Sequence, residues 1–89
     1  MKIAVVGAGL IGQAWALVFA RAGCEVRLWD GDAAALARSR ALVTELAGEL
    51  ERSRLVSDAG ELISRVTTCA QLKDALEGID HVQENLPEG

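Results

Sequence analysis

The sequence predicts an α/β fold, a parallel sheet of about four strands with helical crossovers. Short β-prone apolar runs alternate along the chain with longer stretches of helical periodicity. Three glycines spaced G-x-G-x-x-G fall directly between the first run and the first periodic stretch. The connections between runs are long enough to hold helices, as parallel pairing demands.

Residues 2–6 (Lys-Ile-Ala-Val-Val) read as a strand closed by glycine, with the continuous apolar run of a strand buried on both faces. From Leu10 to Ala22 the positions Leu10, Ala14, Leu17, Val18 and Arg21-Ala22 recur at three and four, predicting a helix. Gly23 then stands where a left-handed C′ residue is wanted. Glu25 to Trp29 is a second strand, ending at Asp30. Asp32 is placed to cap a long helix from about Ala33 to Arg54, with Leu36, Val43, Leu46 and Leu50 on its apolar face and Leu42 broadening it.

Ser57 to Ser64 is a polar connection with room for a helical turn, and Arg65 to Thr68 a short β-branched strand. Thr68 and Gln71 have capping-box spacing and open a helix with Leu72, Ala75 and Leu76 on one face and Gly78 at its end. His81 to Glu84 is the fourth strand, stopped by Pro87. Strand and helix alternate throughout, so the crossovers should be right-handed. No repeat, linker or low-complexity segment interrupts residues 1–89, which are read as a single domain portion.

At 89 residues the chain is shorter than a typical domain of about 100–150 and supports one modest core. Its 51% hydrophobic content and single proline argue against disorder. The net charge of −4, two lysines (Lys2 and Lys73) and the lack of any basic run argue against nucleic acid or a membrane surface as partner. Cys24 and Cys69 fit no metal or redox spacing and read as reduced thiols, with the cytoplasm as the expected compartment. Lys2 and Ala20-Arg21-Ala22 mimic a secretory leader, but the apolar stretch between them is broken by Gly7, Gly9, Gly12 and Gln13.

Those same glycines carry the chemistry. Gly7 permits a tight strand-to-helix turn, Gly9 keeps a Cβ away from an approaching pyrophosphate, and Gly12 lets the helix lie close on the first strand. The first-turn N–H groups, from about Leu10 through Ile11 to Gly12, then point at phosphate from the positive end of the helix. Asp30 follows Gly12 by 18 residues, where its carboxylate accepts from both ribose hydroxyls and repels a 2′-phosphate. With no basic residue after it until Arg38, NAD is favoured over NADP. The pattern is that of a Rossmann-type, doubly wound dinucleotide-binding domain, incomplete at this length.

With these residues placed, the chain resembles the N-terminal, NAD-binding part of the 3-hydroxyacyl-CoA dehydrogenase family over essentially all 89 residues. The most specific segments are VVGAGLIGQAWALVFARAG, LWD and the closing HVQENLPEG. Trp15 and the Pro87-Glu88 ending look closer to the branch containing lambda-crystallin and L-gulonate 3-dehydrogenase than to the mitochondrial acyl-CoA enzymes. By position the resemblance makes Gly7, Gly9, Leu10, Ile11 and Gly12 the cofactor loop, Asp30 the adenosine-ribose ligand, and Glu88 a residue reaching towards the cofactor.

The resemblance also implies a substrate, a hydroxyacyl-CoA or a free 3-hydroxy acid, while the homodimer expected here rests on an uncovered strand edge. The family's catalytic histidine and its glutamate lie beyond position 89. His81, the only histidine, does not match the catalytic one and is read as structural. No catalytic residue is therefore expected here, and the chain alone should not turn over substrate. The region from Glu45 to Glu61 holds Glu45, Glu49, Glu51, Asp58 and Glu61 against Arg52 and Arg54, which weakens the case for a CoA phosphate site. Two other readings keep the fold: a non-enzymatic nucleotide-binding module, and an unrelated enzyme such as a 6-phosphogluconate or UDP-sugar dehydrogenase. An uncovered edge near Val82 is expected to promote self-association.

Overall fold

The computed structural model describes residues 1–85. In chain order it contains β1 (Lys2–Val6), α1 (Leu10–Arg21), β2 (Glu25–Trp29), α2 (Ala33–Arg52), α3 (Ala59–Ser64), β3 (Val66–Thr68), α4 (Leu72–Leu76) and β4 (His81–Glu84). The strands form one sheet in the order β3-β2-β1-β4, and every pairing is parallel.

The apolar run of β1 explains its central place. Ile3 and Val5 face α1 and α2 and cluster with Leu17, Val26, Leu28 and Val43. Ala4 and Val6, one residue out of phase, are buried on the opposite face, where α4 lies. Arg27 on β2 also turns to that face and donates to the Asp74 and Glu77 carbonyls at the end of α4. Helices thus cover both faces of the sheet. Because all strands run the same way, their carboxyl ends share one rim, with Val6 opposite Trp29 on one side and Glu84 on the other.

The structure corrects five expectations. The buried side of α1 is Gly12, Gln13, Ala16, Leu17 and Ala20, whereas Leu10, Ala14 and Val18 face outwards. Close seating on the sheet selects small residues at Gly12, Ala16 and Ala20, and of the expected stripe only Leu17 is buried. In α2 the broadening Leu42 is exposed, and Ser39 is buried instead, its hydroxyl donating to the Leu36 carbonyl at 2.6 Å. That helix also ends at Arg52 rather than Arg54, because Arg54 takes a left-handed φ of 61°. The Arg54 N–H then donates to Glu51 at 3.0 Å and the Leu55 N–H to Leu50 at 2.8 Å, the two bonds of a Schellman stop.

The polar connection holds a helix of its own, α3, capped by the Asp58 carboxylate on the Glu61 N–H at 3.2 Å. Arg65 caps its end and is not part of β3. Finally, Thr68 and Gln71 form no capping box. Thr68 stays in β3 opposite Leu28, and Gln71 occupies the N-cap of α4 without a side-chain bond. The sheet pairing outweighed the cap. Gly23 and Gly78 do adopt the left-handed conformations expected of them, with φ of 91° and 67°. Pro87 and Glu88 lie outside the described residues.

Candidate cofactor-binding site

The turn from β1 into α1 is built from glycines with different duties. Gly7 has φ of 106°, which a side chain resists, while its N–H donates to the Trp29 carbonyl at 2.8 Å and keeps the turn tied to β2. At Gly12 an added Cβ would meet the Gly7 carbonyl oxygen at 1.7 Å, so α1 lies on the end of β1 too closely for any other residue. Gly9 is different again. It is the N-cap of α1 in extended conformation, and a Cβ there would meet nothing within 4 Å. That is open space above the helix end.

Among the described residues no side chain caps α1, and no acidic residue stands in its first turn. The first-turn N–H groups of Leu10, Ile11 and Gly12 have no intrahelical carbonyl to bond, and Leu10 and Ile11 are exposed. By contrast α2 and α3 are each closed by an aspartate, Asp32 and Asp58. The helix that starts at the glycine turn therefore offers its positive end, roughly half a unit charge, to whatever anion settles there.

Asp30 lies one residue past β2 on the same rim. Its Oδ2 accepts from the Ala8 N–H at 2.8 Å and its Oδ1 from the Asp32 N–H at 2.7 Å. A carboxylate has about four lone-pair sites, so two bonds fix its orientation and leave one site on each oxygen. Those remaining sites suit the paired hydroxyls of a ribose. An anion seat and a diol acceptor, joined through Ala8, make this rim suited to a dinucleotide.

Gln13 is a residue that sequence reasoning passed over. It is 4% exposed, and its Nε2 donates to the Ala8 carbonyl at 3.1 Å beneath the turn. A glutamine directly after the third glycine carries no periodic or motif signal, so only the packing reveals it. His81 is exposed on β4 and meets Phe19 edge-on, and Phe19 stacks on Trp15. Cys24 and Cys69 are free thiols. Burial pushes the Cys69 thiol above its ordinary value, the Arg27 guanidinium opposes this, and Asp74 adds to it. Two clefts of about 320 and 310 Å³ lie among α1, α2, α3 and their connections and are not lined by the glycine turn or Asp30.

The family model described as 3-hydroxyacyl-CoA dehydrogenase, NAD binding domain, matches residues 2–89. The chain belongs to the 3-hydroxyacyl-CoA dehydrogenase family. It is an NAD-binding part of that family, and its cofactor is NAD. Among curated relatives of this NAD-binding domain, the lambda-crystallin homolog of Bos taurus is 41% identical over 92 aligned positions, covering 97% of this chain and 28% of that protein. The L-carnitine dehydrogenase of Streptomyces griseus is 34% identical, covering 98% of this chain and 25% of that protein. Among solved structures, (S)-3-hydroxybutyryl-CoA dehydrogenase from Ralstonia eutropha superposes with a TM-score of 0.87 at 26% identity, over 99% of this chain and 31% of that one. The chain thus spans between a quarter and a third of the length of these relatives. Among the described residues no helix is long and apolar enough to cross a membrane.

Proposed function

We propose that this chain supplies the NAD-binding portion of a dehydrogenase acting on the 3-hydroxyl of a hydroxyacyl-CoA or a 3-hydroxy acid. One observation carries the reading: the Asp30 carboxylate accepts at 2.8 Å from the Ala8 N–H, in the same short turn that leads into the open start of α1. In this reading Gly9, Leu10, Ile11 and Gly12 hold the pyrophosphate through backbone N–H groups, and Gly7, whose own N–H is engaged by the Trp29 carbonyl, shapes the turn that presents them. Asp30 holds the adenosine ribose, and Glu88, outside the described residues, is carried on family resemblance alone.

NAD supplies the hydride acceptor; the residues here bind and orient it. The residues that move the substrate proton belong to the part of the family enzyme outside this chain, so the chain alone is expected to show no turnover. A free hydroxy acid is favoured over a CoA thioester. The surface from Glu45 to Glu61 is acidic, and Arg52 within it is paired with Glu49 at 2.9 Å rather than offered to phosphate. The similarity to an L-carnitine dehydrogenase points the same way. A cytoplasmic homodimer completes the proposal. β4 forms one edge of the described sheet with Val82 45% exposed, and an open strand edge favours self-pairing.

The test is titration with NADH and NADPH, followed by quenching of Trp15 and Trp29, in the native chain and in Asp30→Ala. Saturable NADH binding that exceeds NADPH binding and is lost in the variant is expected. Equal affinity for the two cofactors, or an unaffected variant, would remove Asp30 from the ribose site.

A further inference from the structure

Gln13 is buried to 4% exposure, yet its Oε1 has no hydrogen-bond partner among the described residues. An unpaired buried amide oxygen is a net cost to stability, and such groups require an explanation. Its other end supplies one. The Gln13 Nε2 donates to the Ala8 carbonyl at 3.1 Å, and the N–H of the same Ala8 donates to Asp30 Oδ2 at 2.8 Å. Ala8 is 1% exposed and flanked by Gly7 and Gly9, so its neighbours resist rotation of the peptides less than any other residue type would. The two side chains therefore clamp an otherwise permissive turn from opposite ends. Gln13 is itself rooted in α1, its own N–H donating to the Gly9 carbonyl at 3.0 Å.

We propose that Gln13 is a positioning residue, which sets the Ala8 peptides and through them the orientation of the Asp30 carboxylate towards the adenosine ribose. The proposal rests on Asp30 being the ribose ligand. It explains why a glutamine stands where a methionine of similar length would leave no amide oxygen unpaired. Removing the amide frees the Ala8 carbonyl, lets the glycine turn rotate, and loosens the Ala8 N–H from Asp30.

The experiment compares Gln13→Met, Asp30→Asn and the double variant of the full chain. It measures NADH affinity by tryptophan quenching, the thermal midpoint, and the Ala8 amide shift in proton–nitrogen spectra. Gln13→Met is expected to weaken NADH binding about three- to tenfold, the range of one hydrogen bond, with the thermal midpoint unchanged or raised. The Ala8 amide proton should move upfield, and the loss of affinity should vanish when Asp30 is already Asn. Additive effects in the double variant, or a lowered midpoint with unchanged affinity, would overturn the proposal and leave Gln13 a packing residue. If the native chain fails to bind NADH, the ribose reading falls separately, and an unmoved Ala8 amide in Gln13→Met still refutes the clamp. Gln13→Leu provides the same comparison if the methionine variant does not fold.

Discussion

Replacing Gly12 by alanine tests how α1 is seated on β1. The new Cβ would stand 1.7 Å from the Gly7 oxygen and 2.9 Å from the Gly7 carbon, far inside the roughly 3.5 Å of comfortable contact. The obstacle is backbone, and its peptide is held in place by the Ala8 N–H bond to Asp30 at 2.8 Å. The helix must therefore lift, disturbing Ala16, Leu17 and Ala20 on its buried face. Overpacking of this kind costs about 1–3 kcal/mol and sometimes more. Alanine's better helix propensity returns about 1 kcal/mol. With the clash at the upper end of its range, the net loss is about 2 kcal/mol, against a total of roughly 4–13 kcal/mol for a chain of this size. At a urea slope near 1 kcal/mol/M, the unfolding midpoint should fall by about 2 M. Gly48→Ala is the control, since its Cβ would meet only the flexible end of Arg52 at 3.4 Å. It should raise stability by about 0.5–1 kcal/mol. If both variants gain stability alike, the close seating of α1 is wrong.

Other sites give signed expectations. Arg54→Gly relieves a left-handed residue at about 1–2 kcal/mol and gives back about 0.5–1 through the freer unfolded chain; a net rise of a few degrees in thermal midpoint is expected, and a fall would mean that the Arg54 side chain contributes more than its backbone strain. Asp58→Ala removes the cap of α3 and should cost about 0.5–2 kcal/mol, with faster hydrogen exchange at the Glu61 amide; unchanged exchange there would count against the cap. Burial raises the Cys69 thiol, so in a Cys24→Ser background its alkylation rate should rise at higher pH in the folded chain than in urea. The unfolded thiol ionises first, so this contribution to stability is intact below the unfolded value and declines as pH climbs past it; coincident rate profiles in the two states would refute the shift.

The sheet and the glycine turn were legible because each rests on a local signal strong enough to survive packing. A continuous apolar run such as β1 cannot be exposed, and the spacing of Gly7, Gly9 and Gly12 between strand and helix has a stereochemical reason at each position. Gly23 marked the end of α1 correctly because it takes the left-handed position itself, with the Gly23 N–H bonded to Ala20 and the Cys24 N–H to Phe19, both at 3.0 Å. The same stop closes α2, but an arginine occupies it, so no residue type announced the end. Asp58 and Glu61 did carry capping-box spacing for α3; the signal was present in a stretch too polar to suggest a helix. The inward face of α1 was illegible for another reason. Hydrophobic bulk predicts burial in general, but a helix pressed against a strand end selects Gly12, Ala16 and Ala20 by size.

The start of α1 breaks several local rules at once, with a glycine at the cap, a glycine in the first turn and an unpaired buried amide oxygen on Gln13. Departures gathered at one place mark a site shaped for binding rather than for stability, and Gly9→Asp separates the two demands. Gly9 has φ of −71° and ψ of −171°, and an added Cβ meets nothing within 4 Å, so an aspartate enters without strain. Its carboxylate can accept from the open first-turn N–H groups and compensate the helix end, a gain of about 0.3–1 kcal/mol from charge and a few tenths more from capping. The same carboxylate then occupies the position proposed for the pyrophosphate and would repel it. The variant should unfold at higher urea and bind NADH at least tenfold more weakly. A variant that gains stability and keeps NADH affinity would show that the pyrophosphate does not rest on the end of α1, whatever the glycine spacing suggests.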